Sequence, residues 1–245
     1  MICHSRLDNE ISPVSIRKLT ANSHVSFSGY PGTRQLTITL NSHGEPSTVI
    51  TGLEGNPQNR WLFKAQHNAI ESPDGTVIQE RYDPRLAFEG HERSTPWDEL
   101  HLLYFASYAL YNYLTAPFIF TLPGFEVSEL NAHSESGEVW RVLKVTHPDG
   151  FPTHTKIQKF YFDNKEFLLR RIDYETDVAK GVASHYCFDY KNFGGIVIPT
   201  MRRVVRRLPD GTSVVSGPTS FGLQYIAVEI TDNDGAVHSE GTRVT

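Results

Sequence analysis

Ser94–Phe120 reads STPWDELHLLYFASYALYNYLTAPFIF, and its reading decides the fold. Thr95 suits a helix N-cap, Pro96 suits the first helical position, and Asp98 and Glu99 place negative charge in the first turn, where the helix dipole favours it. Ala116-Pro117 stops the helix, because the residue before proline is pushed out of helical angles. This is the one long helix that the sequence predicts. Short alternating runs and turn residues fill the rest of the chain.

The helix is apolar nearly all round, from Leu100, Leu102 and Leu103 through Phe105, Ala106, Ala109 and Leu110 to Leu114. Such a helix is buried in a core or spans a membrane. Asp, Glu, Lys and Arg are absent between His101 and Phe125. His101, Ser107, Asn112 and four tyrosines nevertheless dilute the hydrophobicity, and no Lys/Arg cluster flanks either end, so a membrane span is rejected. His101, Tyr104, Tyr108 and Asn112 recur at steps of three, four and four, along one side of the helix. A buried stripe of this kind is either satisfied by neighbouring strands or lines a cavity.

The 245 residues include 39% hydrophobic side chains, enough for a substantial core, and carry a net charge of -5. Arg202, Arg203, Arg206 and Arg207 form the densest basic cluster, but in an alternating strand they split between two faces. No basic footprint for nucleic acid results, and no nucleic-acid partner is expected. Cys3 and Cys187 lie in no CxxC arrangement, the histidines show neither HxH nor HExxH spacing, and no GxSxG or phosphate-cradling glycine loop occurs. Neither metal nor nucleotide cofactor is expected. MICHSRLDNEISPVS lacks the apolar core of a signal peptide, which predicts a cytoplasmic protein.

In chain order, residues 1–14 read as a loose lead-in. Strand patterns follow over 18–28, 35–41, 48–51, 60–66 and 76–82, with Gly29–Gly32 and Pro73-Asp74-Gly75 as turns. A polar loop, 83–96, leads into the helix. Beyond it come runs over 125–132, 139–147, 154–162, 167–175, 184–193, 196–208 and 221–231, and a polar tail over 232–245 that is expected to fray. About eleven strands with hairpin-length connections predict antiparallel pairing. A sheet of that size must curl. The expected architecture is a single mainly β domain over 1–245, one strongly curved antiparallel sheet with the buried helix in its concavity.

KFYFDNKEFLLRRIDYE, residues 159–175, resembles the strand–turn–strand of the bacterial lipoprotein carriers of the LolA/LolB type. An aromatic strand, an Asp-containing turn and a Leu-Leu-Arg strand recur there. Residues 83–114 and 170–204 also resemble segments of a group of uncharacterised bacterial proteins of similar length. The likeness implies a LolA-like half-barrel. The tyrosine-rich helix stripe and the lack of a signal peptide depart from lipoprotein carriers. A violacein-pathway enzyme of LolA-like fold implies that the scaffold can host metabolic chemistry.

The richest polar stretch runs from Arg170 to Tyr190. Alternation puts Arg171 and Asp173 on one face of one strand, and His185 and Asp189 on one face of the next. If those faces coincide inside the concavity, His185 gains a carboxylate and serves as a general base. In the opposite phase Tyr174, Tyr186 and Tyr190 point inward and the charges meet solvent, as half-exposed sheets usually alternate. The register decides between them.

Three functions fit. The first is an acid–base enzyme without a redox cofactor, of cyclase, isomerase or lyase type, acting on a hydrophobic metabolite. Its expected catalytic residues are His101, His185, Asp173 and Tyr104, with Trp97, Tyr108, Asn112, Arg171, Tyr174 and Tyr186 binding substrate. The second is a non-catalytic carrier or sensor of a hydrophobic ligand. The third is a barrel filled by its helix.

Overall fold

Adjacent strands pair antiparallel throughout the computed structural model, which describes residues 16–27, 30–41 and 45–244. The expected lead-in lies outside those residues. Six strands precede the helix: β1 (Ile16–Phe27), β2 (Tyr30–Asn41), β3 (Ser47–Thr51), β4 (Arg60–Lys64), β5 (His67–Glu71) and β6 (Val77–Tyr82). The helix α1 spans Glu99–Thr115. After it come β7 (Glu126–Glu135), β8 (Glu138–Thr146), β9 (Ile157–Asp163), β10 (Leu169–Thr176), β11 (Gly181–Phe193), β12 (Ile196–Arg206) and β13 (Phe221–Asp232). Two short strands, β14 (Val237–His238) and β15 (Thr242–Arg243), end the described chain.

The sheet order is β6-β5-β4-β3-β2-β1-β13-β12-β11-β10-β9-β8-β7. Two meanders therefore meet where β1 pairs with β13, from Ile16↔Asp232 to Phe27↔Phe221. The sheet does not close, and β6 and β7 are its open edges. Both edges are largely exposed and carry charge, as VIQERY and EVSELNAHSE, which discourages pairing with another chain. The helix joins one edge strand to the other through the interior. The predicted curved antiparallel sheet with a helix in its hollow is the observed architecture, and no described helix is long and apolar enough to cross a membrane.

Leu103 and Tyr108 on α1 are wholly buried, packed in one core with Leu36 and Ile38 of β2, Ile50 of β3 and Trp61 and Phe63 of β4. A second cluster continues the inner face across the C-terminal strands through Phe160, Ile172, Cys187 and Val204. Cys187 is a buried free thiol within it.

Several boundaries differ from the sequence pattern. Thr95 does not cap the helix, because its hydroxyl accepts from Glu92 N–H at 2.9 Å within the preceding loop. Asp98 is the cap instead. Its carboxylate accepts from His101 N–H at 2.8 Å, while the His101 ring accepts from Asp98 N–H at 3.2 Å, a reciprocal box that satisfies two orphan donors. At the other end Ala116 is extended, and the helix stops at Thr115, where the proline rule places the stop. β5 was not legible, because Ala65-Gln66 turns the chain without glycine, asparagine or proline to mark it. β2 starts at Tyr30 and takes in Pro31 and Gly32, which turn chemistry alone would assign to a loop. The tail is not frayed at 237–238 and 242–243, since β14 pairs with β13 and β15 with β11.

The Asp98 box is testable by equilibrium denaturation. Asp98→Ala is expected to cost about 1–2 kcal/mol, the usual loss for a helix cap. Arg81 pairs with the same carboxylate at 2.6 Å, but Asp98 is about half exposed, so Arg81→Gln is expected to cost less than about 1 kcal/mol.

Candidate functional site

Between α1 and the inner face of the sheet lies a cavity of about 250 Å³. Its walls are Val25 from β1, Leu36 from β2, Phe105, Ala106, Ala109 and Leu110 from α1, and Val204 and Phe221 from β12 and β13. Alternation on the strands and the all-round apolar character of α1 bring these side chains together. Tyr113, His154 and Tyr174 also line it and are buried. Arg93, Val182 and Arg206 also line it and are exposed, which marks the rim.

A buried hydrogen-bonded chain passes through the polar floor. The Tyr108 hydroxyl is 3.1 Å from His154 Nδ1, and the Tyr113 hydroxyl is 2.8 Å from His154 Nε2. Tyr113 and Tyr174 hydroxyls are 3.0 Å apart, and Tyr174 reaches His185 Nδ1 at 3.3 Å. Arg202 then approaches His185 Nε2 at 3.4 Å and Cys187 Sγ at 3.3 Å, and also donates to the Tyr113 carbonyl. Its guanidinium lies over the Tyr113 ring, 5.3 Å from the centroid. Among the described residues no carboxylate pairs with Arg202.

Burial dominates the titration of this chain. It lowers His154 to about 3, helped by the nearby His147 and Arg85, and lowers His147 to about 4. His185 is held well below the ordinary imidazole value by burial first and then by the Arg202 charge. Burial raises the Tyr108, Tyr113 and Tyr174 phenols. Near neutral pH these imidazoles are uncharged and the phenols protonated.

The residues singled out in the sequence fall into three places. Tyr108, Tyr174 and His185 belong to the inner chain. Asn112 sits on α1 and donates to the Tyr108 carbonyl at 2.7 Å and to the Pro152 carbonyl at 2.9 Å, tying the loop before β9 to the helix. His101, Tyr104 and Trp97 lie at the helix start. The His101 ring serves the cap and also contacts the Ala87 carbonyl at 3.1 Å, Trp97 packs edge-on against Phe88, and the Tyr104 hydroxyl accepts from Arg85 at 3.4 Å.

Arg171, Asp173 and Tyr186 are on the opposite, convex face. The pairs Ile172↔His185 and Arg171↔Tyr186 fix this register. His185 therefore faces away from Asp173, and the two cannot form an acid–base pair. The opposite phase does not hold either. Tyr174 points inward, Tyr186 points outward, and Asp189 at φ 52° interrupts the alternation, so Tyr190 rejoins the inner core and donates to the Leu169 and Cys187 carbonyls.

The charges on the convex face are nonetheless buried. Arg171 clamps Asp173 with bonds of 2.7 and 2.8 Å and reaches Glu135 at 2.6 Å. Asp173 also accepts from Tyr161 and Ser184, both at 2.9 Å. The Gly211 carbonyl and Ser213 hydroxyl bond into the cluster and hold the β12–β13 connection over it.

Sequence reasoning missed Tyr113, His154 and Arg202. Tyr113 lies off the 3-4-4 stripe. His154 was expected to begin a strand, but β9 starts at Ile157, and two phenols on α1 hold the imidazole in the preceding loop. Arg202 was read only as part of a basic cluster.

No family model matches the chain, and no curated protein does. Solved structures do. A LolA superfamily protein from Nitrosomonas europaea superposes with a TM-score of 0.52 at 13% identity, over 91% of this chain and 87% of its own. The chain has a LolA-like fold. A DUF1329 family protein from Desulfovibrio piger gives 0.53 at 14% identity, over 88% and 86% of the two chains. A Vibrio parahaemolyticus domain described as an outer membrane lipoprotein-sorting protein gives 0.50 at 9% identity, over 87% and 85%.

The depressed imidazoles imply a pH dependence of a definite sign. Below about 6.5 the unfolded chain binds protons at His147, His154 and His185 that the folded chain refuses, so stability falls as pH drops from about 6.5 towards 4. Each imidazole contributes a slope approaching about 1.4 kcal/mol per pH unit. Urea denaturation at pH 7.5, 6 and 5 is expected to give a steeper loss for the wild type than for His154→Gln.

Proposed function

We propose that the protein binds a hydrophobic small molecule between α1 and the concave face of the sheet, as a carrier or sensor. The observation that carries this reading is the apolar cavity itself, about 250 Å³, with a few buried polar side chains, Tyr113, His154, Tyr174 and Thr176, among its lining residues. A concave, mostly apolar site with a few placed polar groups is the usual form of a small-molecule site. The lipoprotein-sorting description of one neighbour of the same fold agrees with an apolar ligand.

Acid–base catalysis of cyclase, isomerase or lyase type has less to rest on. A general acid or base works best with a pKa near the working pH. His154, the imidazole lining the cavity, lies near 3, and the Tyr113 and Tyr174 phenols are shifted upward. Of His101, His185, Asp173 and Tyr104, none lines the cavity.

A neutral fluorescent probe, N-phenyl-1-naphthylamine, tests the reading. Wild-type protein is expected to bind it with enhanced emission. Ala109→Trp, which fills the cavity from the helix side, is expected to weaken binding at least tenfold while thermal unfolding stays cooperative. Absence of probe binding to the wild type, together with a clean apo mass by native mass spectrometry after incubation with host lipid extract, would overturn it.

A further inference from the structure

The polar floor and the rim of the cavity differ in what they offer a ligand, and the difference follows from hydrogen-bond bookkeeping. A guanidinium donates and never accepts. Its contact with His185 Nε2 therefore makes that nitrogen the acceptor and leaves the proton of the neutral ring on Nδ1. His185 Nδ1–H then donates to the Tyr174 oxygen. The Tyr174 hydroxyl donates to Tyr113, Tyr113 donates to His154 Nε2, and His154 Nδ1–H donates to Tyr108. The buried charge of Arg202 sets one direction along the whole chain. Every hydrogen on the floor, from His185 to His154, is committed to a neighbour inside the protein. Tyr113 and Tyr174 have no hydroxyl hydrogen left to donate, so a carboxylate beside them would find no donor there. Arg202 itself is 2% exposed and does not line the cavity.

The rim has the opposite character. Arg93, from the loop before α1, and Arg206, at the end of β12, both line the cavity and are both exposed. Neither forms an ion pair among the described residues. In a chain of net charge -5, two unpaired guanidinium groups at the mouth of an apolar cavity are a local excess of positive charge. Guanidinium groups match carboxylate and phosphate geometry.

We propose that the ligand is an anionic amphiphile that enters tail first, with its acidic head held at the mouth by Arg93 and Arg206. This rests on the cavity reading above and adds the head-group class and the orientation.

Calorimetric titration with decanoate, decan-1-ol and decyltrimethylammonium at low ionic strength tests the assignment. The three share a tail and differ in head charge. Decanoate is expected to bind about tenfold more tightly than decan-1-ol, and the ammonium more weakly than either. The preference is expected to shrink at high salt, since the rim is exposed to screening. The double variant Arg93→Gln/Arg206→Gln is expected to bring decanoate to within about twofold of decan-1-ol. Equal affinities for decanoate and decan-1-ol in the wild type, or a decanoate preference that survives the double variant, would overturn the head-group assignment and leave the cavity reading standing. Binding of none of the three would overturn both.

Discussion

A phenol withdrawn from water needs a partner, and α1 carries Tyr104, Tyr108, Tyr111 and Tyr113 into the interior of the sheet. Much of the inner architecture answers that requirement. The loop before β9 leaves the strand ladder to bring His154 between Tyr108 and Tyr113, and Asn112 ties the same loop to the helix through the Pro152 carbonyl. β10, β11 and β12 contribute Tyr174, His185 and Arg202 in succession. The result is a helix held to the C-terminal meander by buried polar bonds and to the N-terminal meander chiefly by apolar packing, with bonds from Gln79 and Arg81 of β6 at its exposed start. The cavity lies where these two kinds of contact meet.

The two faces of the C-terminal sheet handle buried charge differently. On the convex face Arg171, Asp173 and Glu135 lie together, each charge has a counter-charge, and Tyr161, Tyr186 and Ser184 take up remaining hydrogen-bond capacity. That arrangement meets the usual terms for burying ions, and it fastens the β12–β13 connection. On the concave face Arg202 has neutral partners instead, a carbonyl, an imidazole, a thiol and an aromatic face. Its uncompensated charge helps keep His185 neutral and orients the hydroxyls at the cavity floor.

Turn residues, alternation and the proline stop were enough to place most of the strands and the single long helix, because those signals are local. β5 escaped, since its hairpin turn has no residue that requires an unusual backbone. The helix start was misplaced by three residues because Thr95 and Asp98 are both competent caps, and Thr95 spends its hydroxyl on Glu92. The polar richness of residues 170–190 was visible. Its division between two faces was not, since a one-residue change of register exchanges the faces and the pairing is set across strands.

By itself, the sequence determined that one buried, tyrosine-bearing helix fills a curved antiparallel sheet, because apolar periodicity and turn chemistry act between residues close along the chain. Only the tertiary structure decided that His185 meets Tyr174 and Arg202 rather than Asp173, that His154 leaves its strand for the helix, and that Arg93 and Arg206 share the rim of one cavity. The hydrogen bonds among them join residues 11 to 46 positions apart. They depend on strand register and on where the helix settles, which are properties of the whole sheet.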